Sequence, residues 1–79
     1  MEDMVEFLKL HPTWVWIEIN TFKNGVGMHK ACTLVEQVTH TVEIFQRRIE
    51  NGDYVRDQVT GEIRLDNIDA WTVKCIDEK

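Results

Sequence analysis

The sequence predicts an α+β fold in two layers: an antiparallel sheet of four to five strands, one long helix packed on one sheet face, and a short N-terminal helix. Three observations carry that expectation. Residues 14–22, WVWIEINTF, alternate aliphatic side chains with aromatic or polar ones at the period of a strand. Asn24-Gly25 follows at once and marks a hairpin, because both residues tolerate positive φ. Residues 33–52 then place apolar side chains at three- and four-residue spacing, between a capping signal and a glycine stop.

Taken in order, the first element is a short amphipathic helix. Met4, Val5 and Leu8 lie at helical spacing behind Asp3, a good N-cap, and Pro12 closes the element because the residue before a proline is pushed out of the helical region. Two turns of helix do not hold together alone in water, so this one must dock on the rest of the chain. In the strand that follows, Val15, Ile17 and Ile19 make an aliphatic face, while Trp14, Trp16, Glu18 and Asn20 make the other. A return strand covers about Val26 to Cys32, and Gly27 within it marks a bulge or a close backbone approach.

The long helix is expected from Thr33 to Glu50. Thr33 and Glu36 match a capping box, and Leu34, Val38, Val42, Phe45 and Ile49 form the stripe that would lie over Val15, Ile17 and Ile19. Arg47 and Arg48 complement the negative helix end, and Asn51-Gly52 supplies a left-handed stop. Beyond it, YVR and EIRL read as short strands joined by a turn at DQVTG. LDNID then turns the chain into AWTVKCI, where Trp71, Val73 and Cys75 alternate with Thr72 and Lys74. Residues 1–79 read as a single domain.

Charge narrows the function. Fourteen acidic against nine basic residues give a net charge of −5, which disfavours direct nucleic-acid binding, since that needs a basic patch. The opening MEDMVEF carries acids where a signal peptide carries positive charge. The longest wholly apolar run, WVWI, is far short of a membrane span of roughly 20 residues. A cytoplasmic location with no membrane association follows, and Cys32 and Cys75 are then expected as reduced, unbridged thiols. His29-x-x-Cys32 suggests half a zinc site, but His11, His40 and Cys75 stand alone and supply no second pair, so no metal and no cofactor are expected. No paired nucleophile and base, calcium loop or phosphate cradle is present, and the chain is not expected to be an enzyme.

What remains is a small acidic protein-interaction module, an inhibitor or regulator of the kind phages and mobile elements encode, acting by binding another macromolecule. The partner is expected to be another protein, or a second copy in a homodimer. Trp14 and Trp16 are the candidate apolar anchors, with Glu18 and Asn20 at their polar edge, because indoles bury a large area for few frozen torsions. The competing structural role for these tryptophans is cover by the N-terminal helix. An alternative function is an oligomeric module that sequesters a small molecule or nucleotide, using Trp14, Trp16 or Trp71 for stacking and Arg47, Arg48 and Arg56 for charge.

Overall fold

Two Asn-Gly turns organise the chain. The structure, a computed structural model, describes residues 3–79. Helix α1 covers Met4–Lys9, followed by β1 at Trp14–Lys23 and β2 at Val26–Leu34. A 3₁₀ turn at Val35–Gln37 leads to β3 at Thr41–Glu50 and β4 at Asp53–Arg64, and a second 3₁₀ turn at Leu65–Asn67 leads to β5 at Ala70–Glu78. Asn24 and Gly25 have φ of 54° and 78°, and Asn51 and Gly52 have φ of 53° and 83°. Each pair closes a two-residue hairpin, with Lys23 opposite Val26 and Glu50 opposite Asp53. Positive φ at both central positions matches the right-handed twist of the flanking strands.

The strands form two antiparallel sheets. One has the order β2-β1-β5, and the other is the β3-β4 hairpin. The register of β1 on β2 shifts between Thr21 and Phe22, opposite residues 27–29, where Gly27 lies. Asp3 caps α1 as its side chain accepts from the Val5 backbone N–H at 2.9 Å.

The expected long helix does not form, and with it the α+β two-layer class is overturned: the fold is mostly β, with one short helix. Residues 33 and 34 end β2, and residues 41–50 are a strand. The composition explains why. Thr39, Thr41, Val42, Ile44, Phe45 and Ile49 are β-branched or aromatic, so they lose side-chain freedom against a helical turn and suit a pleated surface. Asn51-Gly52, compatible with a helix stop, serves equally well as a hairpin turn. The segment DQVTG does not turn either; it continues β4 through its middle.

The apolar stripe is mostly buried all the same, by another route. Leu34 ends β2 and Val38 lies in the connection, forming an isolated bridge to Val42. Val42 and Phe45 lie on either side of a register break after Ile44, and both are buried, in different clusters. Ile49, near the hairpin tip, is 63% exposed.

Both faces of β1 are covered. Ile17 and Ile19 pack with Ala31, with Met4 and Leu8 of α1, and with Val38, Val42 and Ile63. Helix α1 therefore docks on the aliphatic face, where the long helix was expected. Trp16, on the other face, packs with Leu34 and Phe45, flanked by Val15, Cys32, Tyr54 and Ile76. The Trp16 and Phe45 rings meet edge-on, 6.0 Å apart at 84°. The Thr33 hydroxyl donates to the Glu43 carbonyl and ties β2 to β3 across the gap between the sheets.

This packing separates two positions that a helical stripe makes equivalent. Phe45→Ala is expected to cost about 3–5 kcal/mol, enough to unfold so small a domain, whereas Ile49→Ala stays within about 0.5 kcal/mol of the parent. Urea melts of both variants check this; equal losses at the two positions would contradict the strand assignment.

Candidate binding surface

The four residues expected at a partner interface do not lie together. Trp16 is only 3% exposed, enclosed by Phe45 and by Tyr54, whose ring lies 6.2 Å away. Trp14 leaves that face because the β1–β5 register breaks between Trp14 and Trp16. It is half-buried instead, stacked on His11 at 4.0 Å and 13° and edge-on to Phe7 at 6.1 Å. The short connection after α1 thus brings Phe7 and His11 over Trp14, while the β3-β4 hairpin encloses Trp16. Glu18 and Asn20 remain half-exposed on the open part of the face. Glu18 pairs with Lys30 at 3.4 Å and sits between Cys32 on β2 and Lys74 on β5 in the sheet register.

What faces solvent is the second hairpin. Strand β4 is hydrogen-bonded to β3 on one side and has no strand on the other. Its residues 56–60 are all exposed, and Val59 among them is 49% exposed. Across the ladder, Arg47 is the register partner of Arg56. Cross-strand partners share a face of the sheet, so the two guanidinium groups lie on one side of the hairpin. The Arg56 guanidinium stands 5.1 Å from the centre of the Phe45 ring, and that of Arg47 6.0 Å from Tyr54. Arg48, by contrast, is neutralised by Glu50 at 2.9 Å and Asp57 at 3.6 Å.

The Arg47–Arg56 pairing escaped the sequence reading because a helix places those residues far apart. The signal that could have found it was the Asn51-Gly52 turn, which as a two-residue hairpin sets positions summing to 103 opposite one another near the tip. The components of the nucleotide alternative are likewise dispersed. Trp16 is enclosed, Trp14 and Trp71 both pack on Phe7, and the arginines lie on the second hairpin.

Comparison with protein-family models, curated proteins and solved structures finds no match to this chain. The site must therefore be read from its own geometry.

Among the described residues no three His, Cys, Asp or Glu side chains converge as metal ligands, and His29 and Cys32 are not joined by a second pair. Cys32 and Cys75 are not bridged to one another. Burial raises the Cys32 thiol pKa; the Arg47 charge opposes this and the Glu18 charge adds to it. Burial also raises that of Cys75. No described helix is long and apolar enough to cross a membrane. An apolar cleft of about 490 Å³ lies between α1 and the second 3₁₀ turn, floored by Met4, Val38 and Leu65, with His40 and Asp66 at its rim.

Since the thiolate is the reactive form, a raised pKa means less of it at any given pH. In the folded protein Cys32 should react with a disulfide reagent more slowly than a free cysteine at pH 8, its rate still climbing above the pH where a free thiol levels off. Stopped-flow thiol titration across pH, native and denatured, measures this, and a native rate at pH 7 above that of free cysteine would contradict it.

Proposed function

We propose that this chain is a small acidic interaction module that binds another protein by adding one of the partner's strands to the outer edge of β4. The observation that carries the reading is that edge itself. It is a strand from Asp53 to Arg64 whose backbone is paired on one side, with an exposed valine in its middle. An unpaired strand edge offers a row of N–H and C=O groups to any extended segment, and side chains at alternate positions supply selectivity. Strands β2, β3 and β5 also have a strand on one side only, and β4, at 12 residues, is the longest of the four.

Binding of this kind needs neither a catalytic group nor a cofactor. It suits an inhibitor or regulator of phage or mobile-element type working in the cytoplasm, where Cys32 and Cys75 stay reduced. Glu18 and Asn20, with Lys30 beside them, form a polar surface next to the hairpin that could border such an interface. A second copy pairing through the same edge would give a homodimer, and sizing at rising concentration separates that case from capture of a different protein.

The test uses Val59→Lys, which places a charge on the edge without touching either core cluster. Its melting temperature should match the parent, since exposed substitutions usually change stability by less than about 0.5 kcal/mol. Capture of partner by the tagged chain, quantified by mass spectrometry, should fall at least tenfold. Undiminished capture by a folded Val59→Lys variant would sink the β4-edge reading.

A further inference from the structure

From the Arg47–Arg56 pair we infer an oxyanion-binding site that takes the carboxylates of an acidic peptide segment; this deepens the reading above by naming the chemistry of the partner. Two like charges directly opposite on a ladder repel, so the arrangement works against the hairpin unless something offsets it. Carboxylates are abundant here, with 14 acids against 9 basic residues, and four of the nine cations take them; among the described residues Lys23, Lys74 and Lys79, like the two arginines, do not. Lys9 pairs with Glu6, Lys30 with Glu18, Arg48 with Glu50 and Asp57, and Arg64 with Asp66. Among the described residues Arg47 and Arg56 have no carboxylate within ion-pair distance; each is held over an aromatic ring.

Those ring contacts place the two guanidinium groups over the rings without using up their N–H donors. Phe45 is fixed in the core and Tyr54 packs beside Trp16, so the platform beneath the arginines is rigid. A planar guanidinium meets a carboxylate through two parallel hydrogen bonds, which is the geometry that distinguishes arginine from lysine. Arg56 also lies on β4 itself, so a segment seated along the β4 edge passes beside the pair. The surroundings choose among anions. Glu50, Asp53 and Asp57 flank the hairpin, and the whole chain carries −5, so a polyanion such as nucleic acid, or a doubly charged phosphate, meets more repulsion than a single carboxylate.

The test titrates the parent with an acetylated, amidated Gly-Glu-Gly peptide, which carries a single carboxylate, following the Arg47 and Arg56 Nε–Hε resonances. Inorganic phosphate and a short single-stranded oligothymidylate are the comparison probes at matched ionic strength. The peptide should shift both arginine signals and bind at least tenfold more tightly than either comparison probe. Arg47→Gln with Arg56→Gln should abolish the binding, with melting unchanged or raised because the repulsion is gone. Should that double variant fail to fold, Arg56→Lys keeps the charge, loses the fork, and is expected to bind about tenfold more weakly. Peptide titration reads the arginine pair, whereas partner capture by Val59→Lys reads the edge. Loss of the arginine result therefore leaves the β4-edge result standing, and the reverse also holds. The proposal is overturned by unmoved arginine signals at millimolar peptide, by undiminished binding in the folded arginine variant, or by tighter binding of phosphate or oligonucleotide.

Discussion

Strand β1 carries buried side chains on both faces and is paired on both edges, and the rest of the molecule depends on it. Among the described strands it alone has two strand neighbours. Ile17 and Ile19 on one side draw in α1 and the base of the second hairpin, while Trp16 on the other draws in Phe45 and Tyr54. A chain of this length buries only about 60% of the surface it exposes when unfolded, so a strand that serves two clusters uses its apolar side chains economically. Helix α1, too short to persist alone, is held by Met4 and Leu8 against the same strand.

Two-sided burial of β1 also decides what is left outside. The β3-β4 hairpin must reach both clusters: Val42 and Ile63 enter one, and Phe45 enters the other. The register breaks around Phe45 let it do so. In wrapping this way the hairpin spends its inner residues on the core and leaves β4 with an uncovered edge. Arg47 and Arg56 come to rest side by side above the rings that the second cluster holds in place. The open edge and the paired arginines are thus consequences of how the core is filled, and the binding surface we propose is built from them.

Much of the first half of the chain was legible in the sequence, and the reasons are local. Asp3 capping, the stop at Pro12, the alternation in β1 and the Asn24-Gly25 hairpin each depend on a few adjacent residues. The second half misled because its apolar residues satisfy two periods at once. Leu34, Val38, Val42, Phe45 and Ile49 fit a helical stripe, yet most are buried through a turn and a bulged strand, which no fixed period describes. The β-branched content of residues 38–44 is the signal that argues against the helix, and the Asn-Gly pair that closes the segment has two possible meanings. The tryptophan face was correctly set opposite Ile17 and Ile19 for Trp16. For Trp14 and Val15 it was not: Trp14 packs with the cluster of Ile17 and Ile19 and Val15 with that of Trp16, since the register break between Trp14 and Trp16 leaves no trace in composition.

Amide hydrogen exchange in the native protein tests the place of β1 most directly. Because Ile17, Ile19 and Thr21 lie where β1 is paired with both β2 and β5 and are fully buried, their amides should exchange only through global unfolding, with free energies equal to that from urea melts. Amides of β4, paired on one side, should alternate between protected and fast. Fast exchange along β1, or unbroken protection through residues 33–50 as a helix would give, would contradict this account.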